Sequence, residues 1–419
     1  MKKVIVFIII ALFFSRYSYS QDTLTWKDCI EKAKKSNPEL ISASEKVKQA
    51  RSDKNIEITS ILPQVDSTLT GKSAKASTNT TADTYSYSIT GQQLIFDGFK
   101  TLNNISSSFK AFEAEEYNYM VTSSNIRLNL KSAFVGLLKS QELILLTKDI
   151  LERRKQNLKL VKLRYEAGRE HRGSLLTAEA DLSQADFEVN QAERSITLYQ
   201  RKLSKELGLG TMRSLSVTGE FAAETGYDVK PNVELLADYT PFLKELISKK
   251  EASRHDLSSA NAEFFPEVYL DGSLGKTSAT WPPENDVWSY GMSVSLPIFE
   301  GGSRFLEVSK AKSKLRQAEA DEKSGRDSVL FTLESTWKDL KDAIATVSVK
   351  EKFLEAAAER AKIASSQYET GLLSFDDWII IEDNLVNAKK AYLNAKADLL
   401  LTESYWIQAI GGTLDYDKE

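Results

Sequence analysis

Two stretches of the chain alternate between apolar and polar residues with a period of two. Tyr85 and Tyr87 are separated by a serine, and Trp288 and Tyr290 follow the same pattern. This period predicts β-strands with one aromatic or aliphatic face and one small polar face. Each stretch forms the second strand of a predicted hairpin, at about residues 62–96 and about residues 265–299. The predicted loops of these hairpins span residues 72–83 and 276–287.

After each hairpin the apolar period lengthens to that of a helix. Leu102, Ile105, Phe109 and Phe112 recur at spacings of three and four residues. The pattern predicts two long helices, each followed by a shorter return helix, at about residues 100–164, 175–207, 304–368 and 375–410. At ~1.5 Å per residue the long helices would extend about 100 Å, and single helices of that length do not persist in water. They are therefore expected to pair as coiled coils.

The two halves of the chain keep one offset of 203 residues. Phe96 corresponds to Phe299, and Gly208 corresponds to Gly411. Three short motifs keep the same offset: LPQV (62–65) with FPEV (265–268), NPEL (37–40) with TPFL (240–243), and RYEAG (164–168) with QYETG (367–371). Five landmarks at one spacing predict a tandem duplication, with a first structural repeat over residues 21–208 and a second over residues 209–419.

The N-terminal segment, residues 1–20, is predicted to be a secretory signal peptide. Lys2 and Lys3 precede an 11-residue apolar stretch, and a Ser-Tyr-Ser motif follows it. That stretch is too short to span a bilayer, and no later run of about 18 apolar residues predicts a membrane-spanning helix. Removal of Lys2, Lys3 and Arg16 takes the formal charge from −4 to −7. An acidic chain without a basic cluster is not expected to bind nucleic acid.

The sequence leaves open what the apolar faces of the hairpins contact. One interpretation is an ordinary antiparallel sheet whose apolar face covers a core. The other, a transmembrane β-barrel, is favoured because no second sheet or matching helix is available as a cover. Four strands cannot close a barrel, since about eight are needed, and lipid does not tolerate open edges. The strands must then be shared between subunits, with lipid-facing or interface aromatic residues at Tyr85, Tyr87, Phe96, Trp288, Tyr290 and Phe299.

Together these features resemble the TolC family of outer-membrane efflux proteins. The resemblance covers essentially the whole chain after residue 20. It rests on TLTWKDCIEKAKKSNPEL (23–40), the motifs that open the hairpins, the motifs LIFDG (94–98) and LPIFEGG (296–302) that close them, and the YEAG and YETG turns. The resemblance implies an α+β membrane protein of the cell outer membrane. A long α-helical coiled-coil barrel would form a periplasmic tunnel, joined to a twelve-stranded transmembrane β-barrel that a homotrimer builds from four strands per subunit.

The same resemblance implies an exit duct of a tripartite efflux or secretion system. A periplasmic adaptor (membrane fusion) protein and an inner-membrane pump of the RND or ABC type would deliver substrates to it. Type I protein secretion is the alternative within this class, and a structural periplasmic coiled-coil protein is the alternative from another class. No enzymatic activity, cofactor or metal site is predicted, because His171 and His255 are the only histidines and no nucleophile, phosphate-loop or metal-ligand motif is present.

The two helix turns hold the residues to which the resemblance assigns a function. The turn residues Gly168, Gly371 and Leu372 would contact the adaptor. The periplasmic aperture would be formed by Asp376, Asp377, Tyr368, Tyr165, Arg169 and Arg172. Asp377 matches an aperture acid of the family, although Ser374 and Asp377 also match a helix capping box. The two arginines are expected either to pair with Asp376 or Asp377, or to face solvent or the adaptor.

The chain departs from the family pattern at three positions in these turns. Ser174 and Ile380 stand where acids are expected, and Leu373 stands where an arginine is expected. The family's ion-pair lock is therefore not expected in its usual form, while closure at the tip is still expected.

Overall fold

The computed structural model describes residues 22–75, 81–221 and 227–416. The predicted signal peptide, residues 1–20, lies outside these ranges, as does the centre of the first hairpin loop, residues 76–80. The elements of the described chain are, in order, β1 (Asp22–Leu24), α1 (Trp26–Ser36), α2 (Pro38–Thr59), β2 (Gln64–Lys75), β3 (Thr81–Phe96), α3 (Lys100–Glu166), α4 (Arg172–Glu206), β4 (Leu215–Val217), α5 (Val233–Tyr239), α6 (Pro241–Ala262), β5 (Glu267–Ser278), β6 (Asn285–Ser295), α7 (Ser303–Thr370) and α8 (Phe375–Ala409).

The order of two helices, two strands, a long helix and a return helix occurs twice along the chain. The long helices α3 and α7 contain 67 and 68 residues, and the return helices α4 and α8 contain 35 residues each. All four begin and end within a few residues of the helical pattern in the sequence. Among the described residues, no helix combines the length and the apolar content needed to cross a bilayer.

The hairpin loops are shorter than the sequence pattern predicted. β2 continues to Lys75 and β3 begins at Thr81, so most of the predicted loop 72–83 is strand. In the same way β5 reaches Ser278 and β6 begins at Asn285, inside the predicted loop. The reason is that serine, threonine and lysine also occupy the polar face of a strand. Polar composition alone therefore does not mark where a strand ends.

One compact unit contains the described parts of residues 1–38, 126–229 and 337–406. Its strands β1 and β4 pair in parallel. Thr25 and Asp28 form a capping box that begins α1: the Thr25 hydroxyl accepts from the Asp28 amide at 3.2 Å, and the Asp28 carboxylate accepts from the Thr25 amide at 2.9 Å. The buried core of this unit is apolar and includes Leu130, Ala133, Leu137, Leu203, Leu207 and Leu340.

The second compact unit contains the described parts of residues 39–125, 230–336 and 407–419. Its four long strands form one antiparallel sheet in the order β2-β3-β5-β6. Pro241 is the first residue of α6, where its missing amide proton leaves no helical hydrogen bond unmade. Within the described ranges β2 and β6 each have one neighbouring strand, so both are edge strands.

Candidate functional site

The register of the sheet places the two alternating stretches on the same face. Residues directly opposite in antiparallel strands point to the same side. Tyr87 lies opposite Leu69, while Leu274 lies opposite both Ile89 and Trp288. One face of the sheet therefore collects the large apolar residues Val65, Leu69, Tyr85, Tyr87, Ile89, Leu270, Leu274, Trp288, Tyr290, Met292 and Val294.

The opposite face of the sheet is polar and internally hydrogen-bonded. The Asp271 carboxylate on β5 accepts from the side-chain amide of Gln92 at 2.9 Å and from the Ser293 hydroxyl at 2.7 Å. The hydroxyls of Ser273 and Ser289 lie 2.8 Å apart on the same face. These bonds connect β3, β5 and β6 in the middle of the sheet. The sheet thus separates an apolar side from a polar side, as the sequence alternation predicted.

The aromatic residues on the apolar face are unevenly exposed. Trp288 and Tyr290 stack in parallel with ring centroids 5.8 Å apart, and they are 72% and 81% exposed. Tyr87 is exposed to a smaller extent, whereas Tyr85 is half-buried and packs edge-on against Trp281. The other two predicted interface aromatics differ in the same way, with Phe96 half-buried and Phe299 exposed. Within the described residues, nothing covers the β6 end of this face.

The acidic residues that close the two hairpins have different partners. Asp97 caps α3, because its carboxylate accepts from the Thr101 amide at 2.7 Å. Glu300 at the corresponding position instead pairs with Arg304 at 3.1 Å. Gly98 follows Asp97 with φ +69°, and Phe99 also has a positive φ of 72°. The glycine therefore supplies a turn that most other residues resist.

In the first unit, α3 and α7 each end next to a glycine whose backbone has the left-handed conformation. Gly168 has φ +71° and Gly371 has φ +83°, as expected for helix C-terminal caps. The amide of Arg169 donates to the Arg164 carbonyl at 2.8 Å, and the amide of Leu372 donates to the Gln367 carbonyl at 2.8 Å. The Leu372 side chain is 80% exposed. The predicted adaptor-contact residues thus lie at exposed turns.

Ser374 caps α8 as the predicted capping box requires, but the Asp377 carboxylate bonds to the Ser374 hydroxyl and not to its backbone amide. The Ser374 hydroxyl donates to the Asp377 carboxylate at 2.7 Å, and the Asp377 amide donates back to that hydroxyl at 3.1 Å. The predicted aperture residues Asp376, Asp377, Arg169 and Arg172 are all exposed. Among the described residues of one chain, neither arginine forms an ion pair with Asp376 or Asp377.

Tyr368 occupies a different environment from the other predicted aperture residues. Its side chain is fully buried and stacks on Trp378 with ring centroids 4.2 Å apart. The Arg164 guanidinium lies 4.5 Å from the ring centroid of Tyr368 and donates to its carbonyl oxygen at 2.6 Å. The Tyr368 hydroxyl donates to Glu170 at 3.0 Å. Burial and this hydrogen bond both raise the pKa of Tyr368. Tyr165, which has the corresponding position in the first half, is exposed.

Two charged clusters in the same unit were missed by sequence reasoning. Glu382 is 1% exposed and accepts from Arg153 through two hydrogen bonds, at 2.5 and 2.7 Å. This bond raises the pKa of Arg153. Beside it, Arg154 pairs with Asp383 and approaches Asp181, whose pKa is raised chiefly by burial. The sequence did contain a signal for these clusters: Glu382 and Asp383 lie inside the apolar run WIIIEDNLV (378–386). Acids in an apolar run are expected to be buried, and a buried acid requires a partner. No group of side chains in the described ranges is arranged to hold a metal ion.

Comparison with known proteins identifies the family. The sequence model of the outer membrane efflux protein family matches this chain twice, over residues 29–209 and residues 234–412. The chain belongs to the outer membrane efflux protein family. It is therefore an outer-membrane protein of a family that forms efflux channels.

Individual relatives agree with this assignment. The chain is 21% identical over 401 residues to the outer membrane efflux protein BepC of Brucella suis biovar 1 (strain 1330), a match that covers 93% of this chain and 85% of BepC. The CmeC outer membrane channel of Campylobacter jejuni superposes with a TM-score of 0.83 at 20% identity, covering 94% of this chain and 87% of CmeC. The outer membrane protein VceC of Vibrio cholerae gives 0.83 at 19% identity, covering 93% and 97%. The chain has the fold of these proteins.

Proposed function

We propose that three copies of the chain form the outer-membrane exit duct of a tripartite efflux system. A periplasmic adaptor protein and an inner-membrane pump deliver substrates to the duct. The strands of the three copies close one twelve-stranded barrel in the outer membrane. The long helices line a periplasmic tunnel that ends at the α3–α4 and α7–α8 turns. Each copy contains two tandem structural repeats.

The sheet supplies the observation that carries this proposal. It has one apolar face, one polar face and an unpaired strand at each edge. In water the exposed aromatic face would be unfavourable by about 25 cal/mol for each Å² of apolar surface. In lipid that face is favourable, but the unpaired backbone groups at the edges are not. A closed barrel with lipid outside and water inside meets both conditions.

The need for an aqueous channel favours three copies over two. Two copies would supply eight strands, and a barrel of about eight strands has an interior that side chains fill. Three copies supply twelve strands and leave room for an aqueous channel. The family resemblance independently favours three copies.

The turns at the end of the helical tunnel form the aperture in this proposal. Three-fold symmetry would bring three copies of Asp376 and Asp377 around one axis, and a ring of carboxylates favours cations. Tyr165, Arg169 and Arg172 come from the other turn, while buried Tyr368 positions the turn from within. The exposed turn residues Gly168, Gly371 and Leu372 offer the adaptor its contact.

Two measurements on the protein extracted from outer membranes test this function. Native mass determination should give a trimer that partly resists heating in detergent, and planar bilayers should show discrete channels. A protein that stays monomeric while keeping its β-sheet signal, or a trimer that does not conduct, contradicts the proposal. Crosslinking to neighbouring envelope proteins then identifies the pump class, and a pump dedicated to a secreted protein would indicate type I secretion instead.

A further inference from the structure

A cavity of about 770 Å³ lies beside the C-terminal end of α4, in the first compact unit. The turn that follows α4 and Pro38, the first residue of α2, complete its walls. Its volume is within the range of about 300–1,000 Å³ that is usual for small-molecule sites. No acidic residue is among the described residues that line it. The proposed duct gives this cavity no role.

Close backbone packing and a buried hydrogen bond hold the walls of the cavity in place. Gly208 follows α4 with φ +68°, and a Cβ atom there would lie 2.0 Å from the Ser36 carbonyl oxygen. Glycine is therefore the residue that fits this turn. The side-chain amide of Asn37 donates to the Glu206 carbonyl at 2.8 Å. These contacts join the end of α4 to the α1–α2 junction, so the cavity is part of the folded chain and does not need a ligand to form.

Three cations line the cavity within little more than one turn of α4. They are Arg201, Lys202 and Lys205, and Arg201 and Lys205 are one helical turn apart on the same face. Arg201 and Lys205 are exposed, while Lys202 is half-buried and donates to the Ser132 hydroxyl at 3.0 Å. Glu206 contacts Lys205 at 3.1 Å and offsets part of its charge. The remaining positive charge beside the cavity favours an anion.

The second half of the chain shows that the fold does not require these charges. At the offset of 203 residues, Pro241 and Gly411 line a smaller cavity of about 190 Å³ in the second compact unit. The residues at the same offset from the three cations are uncharged: Ser404, Tyr405 and Gln408. Because α8 forms the corresponding return helix without these charges, the cations of α4 are explained better by binding than by folding.

The rest of the lining offers apolar surface and one unpaired hydroxyl. Leu198 and Met212 are 65% and 38% exposed, and Leu198 precedes Arg201 by three residues on the same helix face. Ser204 also lines the cavity; it is 3% exposed, and its Oγ has no hydrogen-bond partner within the described chain. A buried polar group without a partner calls for a bound molecule or water beside it. A ligand that matches this lining has an anionic end and an apolar body.

We propose that this cavity binds a small amphiphilic anion. The phosphate, sulfate or carboxylate group of the ligand contacts Arg201, Lys202 and Lys205, and its apolar body rests on Leu198 and Met212. Charge complementarity selects an anion over a neutral molecule of the same shape. Because salt screens exposed charges, binding is tighter at low ionic strength. The site is separate from the proposed duct and its aperture, and the argument for it uses neither.

The probe is 2-naphthyl phosphate, which carries both parts of such a ligand. The full chain, purified in a nonionic detergent, is dialysed to equilibrium against the probe at low salt, and uptake by empty micelles is subtracted. One molecule should bind to each chain. Inorganic phosphate lacks the apolar body and 2-naphthol lacks the charge, so each should bind at least about fivefold more weakly.

Substitutions in the cavity test the two parts of the lining separately. Arg201→Gln with Lys202→Gln and Lys205→Gln keeps good helix formers and should weaken binding of 2-naphthyl phosphate about tenfold. Leu198→Ser should weaken it about threefold and leave the binding of inorganic phosphate unchanged. The matched control removes the same three charges from exposed positions of α3: Lys155→Gln, Lys159→Gln and Lys162→Gln. It should change binding less than about twofold.

Protection of lysines locates the ligand on the parent protein, without any substitution. Saturating 2-naphthyl phosphate should lower the acylation of Lys202 and Lys205 by an amine reagent and leave Lys155 and Lys159 unchanged, as measured by mass spectrometry of the peptides. The proposal is overturned if 2-naphthol binds as tightly as the probe, if the control variant loses as much affinity as the cavity variant, or if the cavity lysines are not protected. Absence of binding, as when a second copy covers the cavity, overturns it as well. Each result is obtained whether or not the protein conducts, so failure of this site leaves the proposed function standing.

Discussion

The four-stranded sheet and the region around the α3–α4 and α7–α8 turns, called the tip below, differ in one respect. A single chain completes the buried interactions of the tip but not those of the sheet. In the sheet, Trp288 and Tyr290 stack on an exposed face, and the edges of β2 and β6 are unpaired within the described chain. At the tip, Tyr368 and Trp378 are buried against each other, and the acid of Glu382 is fully paired. One chain therefore leaves the edges and the apolar face of the sheet without partners among the described residues, whereas it completes the buried interactions near the helix turns by itself.

This difference predicts where mutations act. Damage at the tip should lower the stability of each chain regardless of assembly. Damage in the sheet should appear as failed insertion or loss of trimers, while the water-soluble parts of the chain stay folded. The variants below test this distinction.

The largest effect is expected from Glu382→Ala in the charged cluster of the tip. It removes the partner of Arg153 and leaves a partly buried guanidinium without its two hydrogen bonds. Breaking a buried pair on one side costs about 3–5 kcal/mol, and the lower end applies because a third of the Arg153 side chain is exposed. Unfolding in denaturant, followed by the circular dichroism of the helices, measures the loss in the free energy of unfolding.

Glu369→Ala is the matched control, because Glu369 is an exposed acid on α7. It should change stability by less than about 0.5 kcal/mol. Equal effects of the two substitutions would show that the Arg153–Glu382 pair contributes nothing to the tip.

Met292→Arg tests the sheet. In the proposed barrel Met292 faces lipid near the middle of the membrane, so a positive charge there should cost about 2–4 kcal/mol of barrel stability. Ser293→Arg, one position away on the polar face, should assemble normally and alter channel conductance instead. Trimer yield from outer membranes distinguishes them. Assembly lost in Ser293→Arg and kept in Met292→Arg would reverse the assignment of the two faces.

The sequence predicts the features of the fold that depend on residues close together in the chain. Gly168 and Gly371 were predicted as turn residues, because a left-handed helix end strongly favours glycine. The spacing of apolar residues likewise predicted all four long helical segments within a few residues. The alternation around Tyr87 and Trp288 predicted strands, and opposite residues of the sheet share faces as a period of two requires.

Sequence reasoning was less accurate where the outcome depends on residues distant in the chain. Arg153 and Glu382 are 229 positions apart, and no local pattern joins them. Tyr165 and Tyr368 stand at corresponding positions in similar motifs, yet one is exposed and the other buried. Their environments differ because Glu170, Arg164 and Trp378 surround only Tyr368. A duplicated motif therefore predicts the same backbone but not the same surroundings.

Tyr368→Phe should have a smaller effect than either change above. It keeps the stack on Trp378 and removes the hydroxyl that donates to Glu170. A hydrogen bond to a charged group contributes about 1.5–3 kcal/mol, and Glu170 keeps its bond from the Ser174 hydroxyl, so about 1.5 kcal/mol is expected. Tyr165→Phe at the corresponding exposed position should be neutral. A neutral Tyr368→Phe would mean that Glu170 does not hold the two turns together.

The smallest stability effect is expected from Asp377→Asn, and it separates the two roles of that residue. Asparagine keeps an oxygen that can accept from the Ser374 hydroxyl, so only the favourable interaction of a charge with the helix N-terminus is lost, about 0.3–1 kcal/mol. If Asp377 lines the aperture, its loss of charge should lower the preference of the channel for cations and weaken block by multivalent cations. Asp376→Asn should act in the same direction, while Arg169→Ala with Arg172→Ala should raise the open probability if these arginines close the tip between subunits.

Ser374→Ala is the reciprocal variant, because it removes the cap and keeps the acid. It should cost about 1 kcal/mol and leave ion selectivity unchanged. Single-channel recordings in asymmetric salt give the ion selectivity of each variant, and unfolding in denaturant gives its stability. If Asp377→Asn loses stability and keeps the ion selectivity of the parent channel, which is the result expected of Ser374→Ala, then Asp377 acts only as a helix cap. Any ion preference of the aperture then comes from other residues of the two turns.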